Sequence, residues 1–142
     1  MKKGLKFMSS VYITKERPKD LQVNILGTTY DILFKTPEED VHLVECDGYC
    51  DNSTHQLVIK WFEWDGMNYN DMLAYSAKVI RHEIVHAFLY QSGLDTCASK
   101  DWARHEEMVD WIAIQIYKIA STAQDTEATF YEQNRENVVV EP

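Results

Sequence analysis

Apolar and polar positions alternate from residue 21. Leu21, Val23 and Ile25 share one side of an extended chain, and beyond Gly27-Thr28 the same period returns in Tyr30, Ile32 and Phe34. Two runs of period two broken by a turn residue predict a hairpin. Thr36-Pro37-Glu38-Glu39 then sets a capping hydroxyl, a proline and a glutamate in the order that satisfies free amides at a helix start, so a short helix is expected to about Cys46. Asp47-Gly48 and Asp51-Asn52-Ser53 read as turns, and His55 to Phe62 reads as a third strand.

The period changes at residue 71. Asp71 to Ser92 holds no Gly or Pro and is followed by Gly93, a residue suited to the left-handed position just past a helix end. Leu73, Ala77, Ile80, Ile84 and Phe88 make one side apolar, and Val79, Val85 and Leu89 make the other side apolar too, which predicts a helix buried on most faces. A second long helix is expected from Ser99 or Asp101 to about Ala120, with Trp102, Val109, Ala113, Ile116 and Ala120 as its inner stripe. Residues 1–20 read as a surface leader with a short strand at Ser10 to Thr14, and residues 122–142 as a polar tail. The pattern as a whole describes one α+β domain over residues 1–142. It has a small, mostly antiparallel sheet of three or slightly more strands packed against two long helices.

Composition narrows the function. With 142 residues, 45% apolar and 12% aromatic, the chain can bury a core of its own. A formal charge of −9 repels phosphate backbones and anionic lipid, which disfavours nucleic-acid and membrane partners. No apolar run approaches the roughly 20 residues of a membrane span, and no apolar segment follows the basic residues at the amino terminus, so cytoplasmic residence is the expectation. Cys46, Cys50 and Cys97 form an odd set best read as reduced thiols.

The chemistry concentrates in His82-Glu83-Ile84-Val85-His86. Histidines four apart on a helix differ by about 40° in direction, so two imidazole nitrogens can converge on one ion while Glu83 reaches the adjoining space. Chance gives this pattern in roughly one in seventy chains of such composition, so its setting has to decide. Tyr75, Val79 and Leu89 flank the histidines on the same face, and polar groups in an apolar setting need partners.

A zinc site open to water takes three protein ligands. Stepping about 100° per residue along the second helix from Trp102 puts the apolar stripe near −30°, His105 near −60°, Glu106 near 40°, Asp110 near 80° and Glu107 near 140°. Glu106 then faces inward and Glu107 faces water, with His105 as a competing third ligand.

His82-Glu83-x-x-His86 followed after nineteen residues by Glu106-x-x-x-Asp110 resembles the gluzincin pattern of thermolysin-type zinc metallopeptidases. Glu106 to Ala113 resembles the second motif of the small ImmA/IrrE-like metallopeptidases, and Arg81 to Leu89 the active-site helix of short phage- and prophage-encoded proteins of that kind. The likeness covers roughly residues 55 to 120. It implies one Zn²⁺ per chain held by His82, His86 and Glu106, with Glu83 as the general base toward the zinc-bound water. Asp110 would orient His82. A peptide or protein is the implied substrate, and the host cytoplasm the implied location. By the same analogy the strand at His55 to Phe62 would lie beside the cleft and pair with an extended substrate. The chain is too short for the second lobe of thermolysin-type enzymes, and neither Tyr90 nor His105 follows from spacing as the group that stabilises the oxyanion.

Other signals carry less. His42, Cys46, Cys50 and His55 offer zinc donors without the usual paired spacing. Trp61, Trp64, Trp102 and Trp111 fit core positions better than a ligand cage. SprT-like and deformylase-like readings lack, respectively, a basic surface and a Glu-Gly-Cys-Leu-Ser segment. The competing class is a non-catalytic metal-binding or interaction module, such as a phage-type regulator, that retains the fold.

Overall fold

A computed structural model describes residues 17–61, 72–97 and 99–135. The strand expected at Ser10 to Thr14, the residue Trp64 and the chain beyond Arg135 lie outside them.

The hairpin forms as the alternation predicts. Strands β1 (Leu21–Ile25) and β2 (Thr28–Lys35) pair antiparallel around Leu26 and Gly27, whose φ values of 51° and 94° give the two-residue turn that matches strand twist. The Gly27 amide donates to Asn24 Oδ1 (2.9 Å). Tyr30, Ile32 and Phe34 turn inward, and all three are buried. The expected helix at Thr36 to Cys46 shrinks to a single 3₁₀ turn, Val41–Val44. Glu39 does reach back to the Thr36 amide (3.0 Å), but Asp40 is extended and caps the short turn itself. Only Leu43 of that turn is buried, so no helical stripe exists to sustain more turns.

A strand that the turn residues concealed follows: β3 (Gly48–Asp51), joined to β4 (Gln56–Lys60) by a turn in which Asp51 Oδ1 accepts from the Ser53 and Thr54 amides. The sheet order is β1-β2-β4-β3, with β2 and β4 parallel and the other two pairings antiparallel. Leu57, Val58 and Ile59 are all buried because β4 is interior. This corrects the placement of the cleft-side strand. Both edges of β4 are taken, and among the described residues β3, like β1, has one edge unpaired.

Helix α1 (Met72–Gln91) lies on the sheet through Val79, Ile80, Ile84 and Ala87. Gly93, at φ 85°, ends it as predicted. The opposite side of α1 meets α3 (Glu106–Asn134) through Val85 and Leu89 against Met108, Val109, Ile112 and Ala113. Between them come the short α2 (Leu94–Cys97) and a 3₁₀ turn, Ser99–Arg104. The second long helix therefore starts and ends later than its pattern suggested. Asp101 at φ 54° breaks the run before it, and beyond Ala120 no Gly or Pro stops it within the described residues. Its inner stripe is shorter than expected: Val109 and Ala113 are buried, whereas Trp102, Ile116 and Ala120 are exposed. Of the described tryptophans only Trp61 is core, and Trp111 is exposed. Among the described residues no helix is long and apolar enough to cross a membrane. The architecture is α+β, a mixed four-stranded sheet under two long helices, and it matches a minimal zincin-like fold with the two histidines on α1.

Candidate metal centre

Helical pitch brings His82 and His86 to one face of α1, and their Nε2 atoms stand 3.1 Å apart. The first turn of α3 closes the third side. Glu106 places Oε2 2.9 Å from His82 Nε2 and Oε1 3.1 Å from His86 Nε2. A tetrahedral ion about 2.0–2.1 Å from each of three donors would space them about 3.3 Å apart, close to the separation of the two imidazole nitrogens and of each from its nearer carboxylate oxygen. Two imidazoles and one carboxylate are a donor set suited to zinc. Among the described residues this is the only group of three such side chains that converges.

His105 takes no part. It is the extended residue preceding α3, it is exposed, and its side chain makes no capping hydrogen bond. The inward direction given to Glu106 by helical projection needs correcting. The helix begins at Glu106 itself, and the side chain is 71% exposed, aimed at the histidines from the rim of the cleft rather than from an apolar stripe. Glu107 faces water.

Asp110, one turn further along α3, has Oδ1 3.2 Å from His82 Nδ1. A carboxylate only accepts, so with an ion on Nε2 the proton would sit on Nδ1, where Asp110 accepts it and fixes the direction of the ring. Lys78 Nζ lies 3.8 Å from the same oxygen, which gives Asp110 a cation as well as a donor. Burial holds the His86 pKa below its usual value, against the pull of Glu106, and so favours the neutral imidazole that ligates.

Glu83 projects toward the sheet and is 4% exposed. Burial raises its pKa to about 7; Glu106 adds to the rise and His82 opposes it. A carboxyl that titrates near neutrality is matched to proton transfer at that pH. Room for it comes from Gly48 on β3. A Cβ there would stand 2.7 Å from Val79 Cγ1, 3.1 Å from the Val58 carbonyl oxygen and 3.3 Å from Glu83 Oε1. The absence of a side chain lets the open-edged strand lie directly against the histidine helix.

Two features of the cleft were not legible in sequence. In sequence Gly48 reads as a turn residue because Asp-Gly usually is one. Tyr75, read as an apolar neighbour, donates its hydroxyl to Asp47 Oδ2, tying the start of α1 to the residue before β3. The Asp47 carbonyl in turn accepts from the Lys60 amide (2.8 Å). Between α1, β3 and the start of α3 lies a cavity of about 530 Å³ that opens onto the three donors. Tyr90 is not among its lining residues.

The second set of zinc donors stays apart. His42 Nδ1 is 3.0 Å from Asp40 Oδ1, Cys46 Sγ donates to the His42 carbonyl (3.1 Å), and Cys50 Sγ donates to Asn52 Oδ1 (3.1 Å). The His55 ring rests 5.1 Å from that of Tyr30. Burial, with the nearby charge of Glu83, pushes the Cys50 thiol up to about 12 and makes it a poor ligand at neutral pH.

No protein-family model matches the chain, and neither a curated protein nor a solved structure is significantly similar to it.

Proposed function

We propose that the protein is a zinc-dependent metallopeptidase of the gluzincin type. The observation that carries the proposal is the convergence of the His82, His86 and Glu106 donors, with one carboxylate oxygen on each imidazole, beside a buried carboxyl, Glu83, on the same helix as the histidines. His82, His86 and Glu106 would hold one Zn²⁺ per chain. When bound, the ion supplies Lewis acidity toward water and toward the scissile carbonyl.

The rest is the work of the chain. Glu83 accepts a proton from the attacking water as the new C–O bond forms, and returns it to the amine nitrogen as the C–N bond breaks. Asp110 fixes the tautomer and direction of His82. The open edge of β3 offers main-chain groups to an extended peptide, while Tyr75 and Asp47 hold that strand at a set distance from α1. A peptide or protein substrate and the kinship to ImmA/IrrE-like and phage-encoded proteins complete the proposal on the strength of the motif, and cytoplasmic residence on the sequence pattern of its apolar runs.

Elemental analysis after dialysis without chelator, run beside cleavage of a mixed peptide library, tests it. Wild type and Glu83→Gln each retain about one zinc, and Glu83→Gln loses on the order of 10²–10⁴ in rate. A folded wild type that neither holds zinc nor takes it up overturns the metal site. Zinc retained with equal cleavage by wild type and Glu83→Gln overturns the catalytic reading and leaves a metal-binding module.

A further inference from the structure

Helix α3 does something unusual once it leaves the body. From residue 116 to residue 133 every position is exposed, a rod about 27 Å long that the described residues leave open beyond the contact of the Arg81 guanidinium with the Tyr117 ring. A lone helix of that length is marginal in water, and this one also carries an apolar stripe. Ile112, Ile116, Ile119, Ala123, Thr126 and Phe130 recur at alternating steps of four and three, the seam of a left-handed helix pair. The seam continues the face that α1 covers at Val109 and Ile112, and beyond it no described residue is seen to cover the seam, with Ile119 50% and Phe130 59% exposed.

From this stripe we infer that the distal half of α3 pairs antiparallel with the same segment of a second copy of this chain. The pattern is self-complementary. A two-fold axis between Ala123 and Thr126 sets Ile119 of each copy against Phe130 of the other, and the small Ala123 and Thr126 let the helices approach at the centre. The flanking positions then pair Thr122 with Thr129 and Ala120 with Glu127. No like charges meet, in a chain whose net charge of −9 would oppose self-association through most other faces. Two rods of this length laid side by side bury on the order of 1,000 Å², the low end for a specific interface, so the dimer is concentration-dependent. The inference stands independently of the metal site.

Sedimentation of the full chain from about 1 to about 300 μM reads the association directly. A monomer–dimer equilibrium is expected. Ala123→Glu puts two carboxylates beside the axis and raises the dissociation constant at least about tenfold. Thr126→Leu extends the seam and lowers it, and Ser121→Glu on the opposite face leaves it unchanged. Both seam substitutions are good helix formers at exposed positions, and unchanged monomer melting checks that the fold survives. The inference is overturned by a chain that stays monomeric throughout with Thr126→Leu no different, which would leave the stripe to another partner. A dimer indifferent to Ala123→Glu overturns it equally.

Discussion

Two regions of this molecule hold side chains of the kinds that bind zinc, and they behave in opposite ways. His82, His86 and Glu106 bring donor atoms within 4.8 Å of one another. His42, Cys46, Cys50 and His55 each turn to a separate neighbour: a carboxylate, a backbone carbonyl, an amide oxygen and an aromatic ring. The difference lies in the backbone beneath them. A twenty-residue helix repeats direction every turn, so residues four apart share a target, and a second helix docked by Val109 and Ala113 brings the third ligand to it. The other four residues straddle a 3₁₀ turn, a strand and a tight turn, none of which repeats direction over that distance. Ligand chemistry is common in sequences, and convergence has to be built.

The largest expected effect comes from breaking the converged set. His86→Ala removes one of three donors and should abolish stoichiometric zinc, whereas His105→Ala should leave zinc content and peptide cleavage unchanged; elemental analysis of the two variants reads the contrast. Next in size is Asp110→Asn. Loss of the carboxylate partner of His82 should weaken zinc affinity about 10–100-fold, measured by competition with a chromophoric chelator, with little change in melting temperature.

Gly48→Ala tests the approach of β3 to α1. Its methyl meets Val79, a β-branched side chain stiff in a helix, and a backbone carbonyl, so about 1–3 kcal/mol of stability should be lost by denaturant titration together with cleavage activity. Should the variant prove as stable as wild type, the close contact would be refuted.

The non-converging region predicts a pH effect and no metal effect. The Tyr49 hydroxyl, then His42, holds the Asp40 carboxyl below its ordinary value of 3.8. A depressed folded pKa contributes stability above the unfolded pKa and loses it as pH falls through the folded one. Asp40→Asn should therefore cost about 1–2 kcal/mol near pH 6, and its deficit against wild type should shrink below about pH 4. Zinc content should not move. A deficit independent of pH would assign Asp40 a purely steric role.

The hairpin and the first long helix were legible because each depends on local information. Tyr30, Ile32 and Phe34 state a period of two, and the run from Met72 to Gly93 states its length and its stop. The start of α3 was not legible, since Asp101 at φ 54° converts an apparently helical run into a 3₁₀ turn through its surroundings. Nor was its end, because polar residues after Thr122 look like a tail but include helix formers with no breaker among them. β3 was hidden by turn residues on both sides. Its strand character comes from pairing with β4, a contact no local window contains.

The sequence by itself determined the pair of histidines and the glutamate between them, for a helix fixes the geometry of residues four apart whatever it packs against. Only the tertiary structure decided that Glu106 and not His105 closes the triangle, that Asp110 meets His82, and that Gly48 makes room for Glu83. Those relations join residues 20 to 35 positions apart across separate elements, where direction is set by docking and not by the local chain.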